Sequence, residues 1–160
     1  MPEPQTDQAA RIADLVKETG RSVATAESLT SGAIAGRLGA APEAATWFRG
    51  GLVSYHDEVK HDVLEVDDGP VVTEKAARQM AEGVARLLSG DAAVATTGAG
   101  GPEEQDGQPP GTVFIAVWAD GDCRSREFHF DGDPVEVIEQ SVDAALQMLL
   151  DALGSAPGAG

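Results

Sequence analysis

The chain has 160 residues, 27 of them acidic and 11 basic, for a formal charge of −16. A field of that sign repels nucleic acid phosphates, and the three lysines (Lys17, Lys60, Lys75) form no basic patch, which argues against DNA or RNA as a partner. No run approaches the roughly 18–20 apolar residues of a membrane span. Hydrophobic residues make up 42% of the chain and aromatics 4%, which predicts one domain with an aliphatic core. The start, Met1-Pro2-Glu3-Pro4, lacks the basic-then-apolar order of a signal peptide, and the single Cys123 has no partner for an internal disulfide. The expected setting is cytoplasmic.

In chain order, residues 8–18 place Ala9, Ile12, Ala13, Leu15 and Val16 at helical spacing, with Gly20 as the stop. Residues 22–26 read as a short buried strand and 30–38 as a helix closed by Gly39 and Pro42. A strand-like Leu52-Val53-Ser54-Tyr55 follows a Gly50-Gly51 pair, and 56–64 read as a short polar helix with Val59 and Val63 on one side. Thr73 is the predicted cap of a long helix to Leu88. Residues 92–96 form a second buried strand, 103–110 a polar, proline-rich surface loop, and 111–119 and 123–130 a hairpin around Asp120-Gly121-Asp122. Asp133 and Pro134 open a last helix to about Leu153. The domain is assigned to 1–153, and 154–160 to a disordered Gly/Ala/Ser/Pro tail. Helices alternating with strands, and two adjacent final strands, predict an α/β fold: a single-domain three-layer α/β/α sandwich with a mixed sheet.

Two hydroxyl- and glycine-rich stretches follow the buried strands: Glu27-Ser28-Leu29-Thr30-Ser31-Gly32 and Thr97-Gly98-Ala99-Gly100-Gly101-Pro102. Ligands in open α/β sheets collect at the carboxyl ends of strands, so these turns are expected to line one pocket. A serine between strand and helix suits a nucleophile, a phosphate contact or a plain N-cap. The stretch is neither Gly-x-Ser-x-Gly nor a Walker phosphate loop. Gly98-x-Gly100-Gly101 lacks the third glycine of a dinucleotide fingerprint, because Glu103 stands there. His56 and His61 are five residues apart, off the i,i+4 spacing of helical metal ligands, and with Asp57, Glu58 and Asp62 they read as a solvated helix. His129 lies in a strand without an evident partner. Lys60 follows Tyr55 closely in a lysine-poor chain; it can act as a base only if burial lowers its pKa.

Five co-linear blocks resemble the CinA C-terminal domain family, the nicotinamide mononucleotide deamidases. They are Ala26-Glu27-Ser28-Leu29-Thr30-Ser31-Gly32, Gly50-Gly51-Leu52-Val53-Ser54-Tyr55 with Lys60, Val72-Thr73-Glu74, Thr97-Gly98-Ala99-Gly100-Gly101-Pro102, and Pro109-Pro110-Gly111-Thr112-Val113. The resemblance implies hydrolysis of the carboxamide of nicotinamide mononucleotide to nicotinate mononucleotide and ammonia. Ser28 would be the nucleophile and Lys60, assisted by Tyr55, the base, with helix-terminal N–H groups after Ser28 holding the oxyanion. Glu27, Thr30, Gly32, Thr97, Gly98, Gly111 and Thr112 would bind substrate. It further implies no metal, no cofactor, a small pyridine nucleotide as partner, and a homo-oligomer. Alternatives are a family member without turnover that binds a nucleotide or protein, and an amidase with a less anionic substrate. Where the family pattern has Gly-Asp-Arg-x-x-Val/Ile-Arg, this chain has Gly132-Asp133-Pro134-Val135-Glu136-Val137-Ile138, with Pro134 and Ile138 in the arginine places.

Overall fold

The computed structural model describes residues 4–155. Its elements are α1 (Pro4–Thr19), β1 (Val23–Glu27), α2 (Ala33–Gly39), α3 (Ala44–Trp47), β2 (Phe48–Val53), α4 (Asp57–Leu64), α5 (Glu74–Leu88), β3 (Ala92–Gly98), β4 (Thr112–Ala119), β5 (Asp122–His129) and α6 (Pro134–Gly154). The strands form one sheet in the order β2-β1-β3-β4-β5. β1 pairs in parallel with both β2 and β3, and β3-β4-β5 is an antiparallel meander. The predicted mixed sheet is therefore present.

Burial along the strands follows from this order. Every residue of β1 and β3 is buried, as their unbroken apolar and hydroxyl runs require between two helical layers. β2 and β5, at the sheet edges, alternate between covered and open positions. One face packs Ile12, Val16, Ile34, Leu38, Leu146 and Leu149 of α1, α2 and α6 against Val94, Val113, Ile115 and Val117. The opposite face packs Ala76, Ala77, Met80, Ala81 and Val84 of α5 against Ala24, Ala26, Ala93, Ala95 and Ala116. Small residues facing small residues bring α5 close to the sheet.

Several predicted boundaries move. The first helix begins at Pro4 and the strand after it extends to Glu27. The second helix begins at Ala33, not Thr30, because Ser31 (φ 50) and Gly32 (φ 97) are left-handed and break the helical path. In α4 the covered face is Lys60 and Leu64, while Val63 is exposed. Leu64 docks against α5 where Gly83 has no side chain: a Cβ there would lie 2.3 Å from the Leu64 carbonyl oxygen. Thr73 caps α5 as predicted, its hydroxyl accepting from the Ala76 amide at 3.0 Å. Asp133 and Glu136 form a reciprocal capping box at the start of α6. Gly154, assigned to the tail, is the last residue of that helix and Ser155 its cap; 156–160 lie outside the described residues. No helix among the described residues is long and apolar enough to cross a membrane.

Candidate active site

At the carboxyl ends of β1 and β3 a cleft of about 390 Å³ opens between the two predicted turns. It is lined by Ser28 and Leu29 on one side and by Gly98, Gly100, Gly101 and Pro102 on the other. Tyr55, Glu103, Glu104, Gln105, Pro134 and Ile138 complete it. The two stretches thus share one pocket, as the switch from parallel to antiparallel pairing at β3 suggests.

Glu27 braces the turn that carries Ser28. It is 1% exposed, and its two carboxylate oxygens accept from the Ile34 and Ala35 amides at 2.9 Å each. An anionic side chain at a helix N-terminus is favoured by charge and by the unsatisfied donors there. The chain reverses between Glu27 and Ala33, and Ser28 sits at the start of the reversal. Ser28 is 7% exposed, and its hydroxyl makes no hydrogen bond to protein among the described residues. This arrangement corrects one expectation. The α2 amides are taken by Glu27 and cannot hold an oxyanion. The uncommitted donors are instead the amides of the cleft-lining Leu29, Gly100 and Gly101, none of which donates to a protein acceptor among the described residues.

Lys60 is 1% exposed. Its Nζ donates to the Tyr55 main-chain carbonyl at 3.3 Å and lies 3.6 Å from Asp57 Oδ1. Burial pushes its pKa below the ordinary 10.5; Asp57, and more weakly Asp106, oppose that shift. Ser54 ties this segment to the nucleophile turn, because its amide donates to the Glu27 carbonyl at 2.7 Å. Tyr55 is 69% exposed and lines the cleft, and among the described residues its hydrogen bond with Lys60 runs through its backbone carbonyl. Lys60 is not among the cleft-lining residues, and no hydrogen bond joins it to Ser28 among the described residues.

Of the other predicted site residues, Gly98 lines the cleft and the rest hold its frame. Thr30 and Thr96 share a buried hydroxyl bond of 2.9 Å, and Thr97 donates to the Val71 carbonyl at 2.8 Å. Thr112 is fully buried and meets His129 Nδ1 at 3.4 Å; His129 also contacts Glu127, so this histidine has partners after all. Gly32 supplies the left-handed residue ahead of α2. Gly111 (φ 93) abuts the Phe130 carbonyl, which a Cβ would meet at 2.1 Å. His56 caps α4 by accepting the Glu58 amide at 3.2 Å, and His61 Nδ1 lies 2.9 Å from the Val66 carbonyl oxygen.

Sequence reasoning did not single out Leu29, Pro102, Glu103, Glu104 or Gln105 as lining residues. Position in the loop after a buried strand was the one available signal for them. Pro134 and Ile138, identified only as departures from a pattern, both line the cleft. No Lys, Arg or His among the described residues does so. Arg49 donates to the Leu88 carbonyl and Arg124 to Ser155, both away from the cleft.

These features define a class: a three-layer α/β sandwich whose serine-bearing and glycine-rich turns meet at the ends of two parallel strands. The chain belongs to the CinA C-terminal domain family, which it matches over residues 5–153. A CinA-like protein from Frankia casuarinae is 36% identical over 151 residues, covering 91% of this chain and 35% of that protein. One from Geobacter metallireducens is 39% identical over 128 residues, 76% of this chain and 31% of that protein. The chain spans about a third of the length of the curated relatives it matches. A CinA superfamily protein from Klebsiella pneumoniae superposes with a TM-score of 0.90 at 32% identity, covering 95% of this chain and 99% of that one. A competence or damage-inducible protein from Enterobacter asburiae gives 0.91 at 30% identity, with the same coverage.

Proposed function

We propose that the chain is an amidohydrolase that cleaves the carboxamide of a nicotinamide compound, with Ser28 as nucleophile and Lys60 as base. One observation carries this reading: a nearly buried serine hydroxyl, with no protein partner among the described residues, opens into a ligand-sized cleft, and Tyr55 of the same cleft accepts through its carbonyl from the fully buried Lys60. A binding module without turnover has no use for a desolvated lysine there, since burying an ammonium is costly.

In the reaction the Ser28 oxygen attacks the amide carbon and its proton passes to the neutral Lys60 amine. In this reading the uncommitted Leu29, Gly100 and Gly101 amides donate to the carbonyl oxygen as negative charge develops on it. Collapse breaks the C–N bond, Lys60 returns the proton to the departing nitrogen, and ammonia leaves. Water then attacks the acyl-serine and releases the carboxylate. Catalytic hydrogen bonds in free enzymes are commonly long, so the Ser28–Lys60 contact is expected to close as substrate fills the cleft. Family resemblance supplies nicotinamide mononucleotide as the first substrate to test, and a homo-oligomer as the assembly. The cation-free lining of the cleft favours a second version of the same reading, an amidase for a less anionic amide.

The test is ammonia release from nicotinamide mononucleotide, its dephosphorylated nucleoside and nicotinamide. Turnover of any of these that disappears in Ser28→Ala and Lys60→Met supports the reading. A folded protein that turns over none of them, or a Ser28→Ala variant as active as wild type, overturns it.

A further inference from the structure

The lining of the cleft carries information about the part of the substrate that does not react. Its carboxylates are Glu103 and Glu104, on the exposed loop that follows the glycine-rich turn. Its apolar surface comes from Leu29, Pro102, Pro134 and Ile138. Lys60 is not among the lining residues, and its Nζ is turned toward the Tyr55 carbonyl and Asp57.

Two helix N-termini lie near the cleft, and each already holds a carboxylate of the protein itself. The α2 amides of Ile34 and Ala35 are occupied by Glu27. α6 begins with Pro134, which has no N–H. Its Glu136 amide donates to Asp133 Oδ1 at 2.9 Å, and the Glu136 carboxylate accepts from the Asp133 amide at 3.0 Å. Both ends are therefore already neutralised by the protein's own carboxylates. The acidic residues also do not stand alone as a feature: Ser28, more than nine-tenths buried and unpartnered, opens into the same cleft and marks it as a ligand site.

We propose that this cleft selects a carboxamide whose body is neutral or cationic and bears no phosphate, with Glu103 and Glu104 setting that preference. The inference rests on the amidohydrolase reading for the reaction, and on the cleft lining alone for the selectivity. An N-substituted pyridinium carboxamide has one positive charge on its ring nitrogen. A phosphate monoester on the same molecule adds a charge of roughly −1.5 to −2 at pH 7, converting a net cation to a net anion. Beside two carboxylates and no cation, the first is attracted and the second repelled. Pro134 and Ile138 lie where a sugar can rest against apolar surface, and they offer a phosphate no donor.

The experiment compares nicotinamide mononucleotide with its dephosphorylated nucleoside, by kcat/KM for the wild type and by calorimetric Kd for Ser28→Ala, which keeps bound substrate intact. At low ionic strength the nucleoside is expected to be favoured by about tenfold in both measures, the scale of one to two partly screened charge contacts. The doubly substituted Glu103→Gln/Glu104→Gln protein should narrow the ratio to about twofold, as should 1 M salt. Ile138→Arg should shift preference toward the mononucleotide. Preference for the mononucleotide by the wild type overturns the proposal, as does a ratio unmoved by the double substitution or the binding of neither compound. Preferential nucleoside binding without turnover of either compound upholds the selectivity and sinks the amidohydrolase reading.

Discussion

Glu27, just before Ser28, and Glu103, on the loop that lines the cleft, are the same side chain in opposite physical situations. Glu27 is buried, and both its oxygens are bound by amides of the chain itself. Glu103 is exposed on a loop that lines the cavity. A buried carboxylate that satisfies two backbone donors is a structural part, costly to remove and silent toward ligand charge. An exposed one contributes almost nothing to folding and acts on whatever enters. In the proposed reading the reacting groups are held by the buried elements, while selectivity is assigned to the open loop.

The comparison is broken most severely at the nucleophile. Ser28→Ala should lower kcat by about 10⁴-fold on the best carboxamide while leaving thermal stability near that of wild type, since the hydroxyl bonds to no protein group among the described residues. Lys60→Met should cost about 10²–10⁴-fold in kcat, the usual range for a lost general base, and should raise stability at pH 7. The stability gain follows from linkage. Burial holds Lys60 below 10.5, so between its lowered pKa and 10.5 the unfolded chain binds more protons than the native one. Stability of the wild type therefore rises with pH across that window, and urea unfolding should show this rise in the wild type and not in Lys60→Met. The same titration predicts kcat/KM climbing with pH and levelling off below 10.5.

Smaller effects sharpen the contrast between the two glutamates. Glu27→Ala leaves two α2 amides without their acceptor and should destabilise folding by about 3 kcal/mol in urea unfolding. Glu103→Gln should shift stability by under ~0.5 kcal/mol, measured the same way. If the two substitutions cost the same, the division between a structural and an open glutamate is wrong.

Much of this was legible in the residues. Apolar runs at 23–26 and 92–95 marked the two central strands, and Thr73 and Asp133 marked helix starts, because capping and burial patterns are local properties of sequence. That the two turns share one pocket followed from each standing after a buried strand. What failed was local in position but tertiary in cause. Thr30 looked helical by its neighbours, yet its hydroxyl is bonded to Thr96 on a distant strand and the backbone turns left-handed just after it. Val59 and Val63 looked like the anchoring side of α4, but the notch at Gly83 receives Leu64 instead and carries Lys60 inward with it.

The sequence by itself determined the alternation of elements, the mixed sheet, the family and the residues with reactive chemistry, since each depends on residue type, spacing or order. Tertiary structure decided which of those residues are free to react. Burial lowers the pKa of Lys60, Glu27 consumes the helix amides expected to hold an oxyanion, and the fold brings Pro134 and Ile138 to the loop of Glu103 and Glu104. Those outcomes depend on distances between segments far apart in the chain, and spacing along a sequence does not encode them.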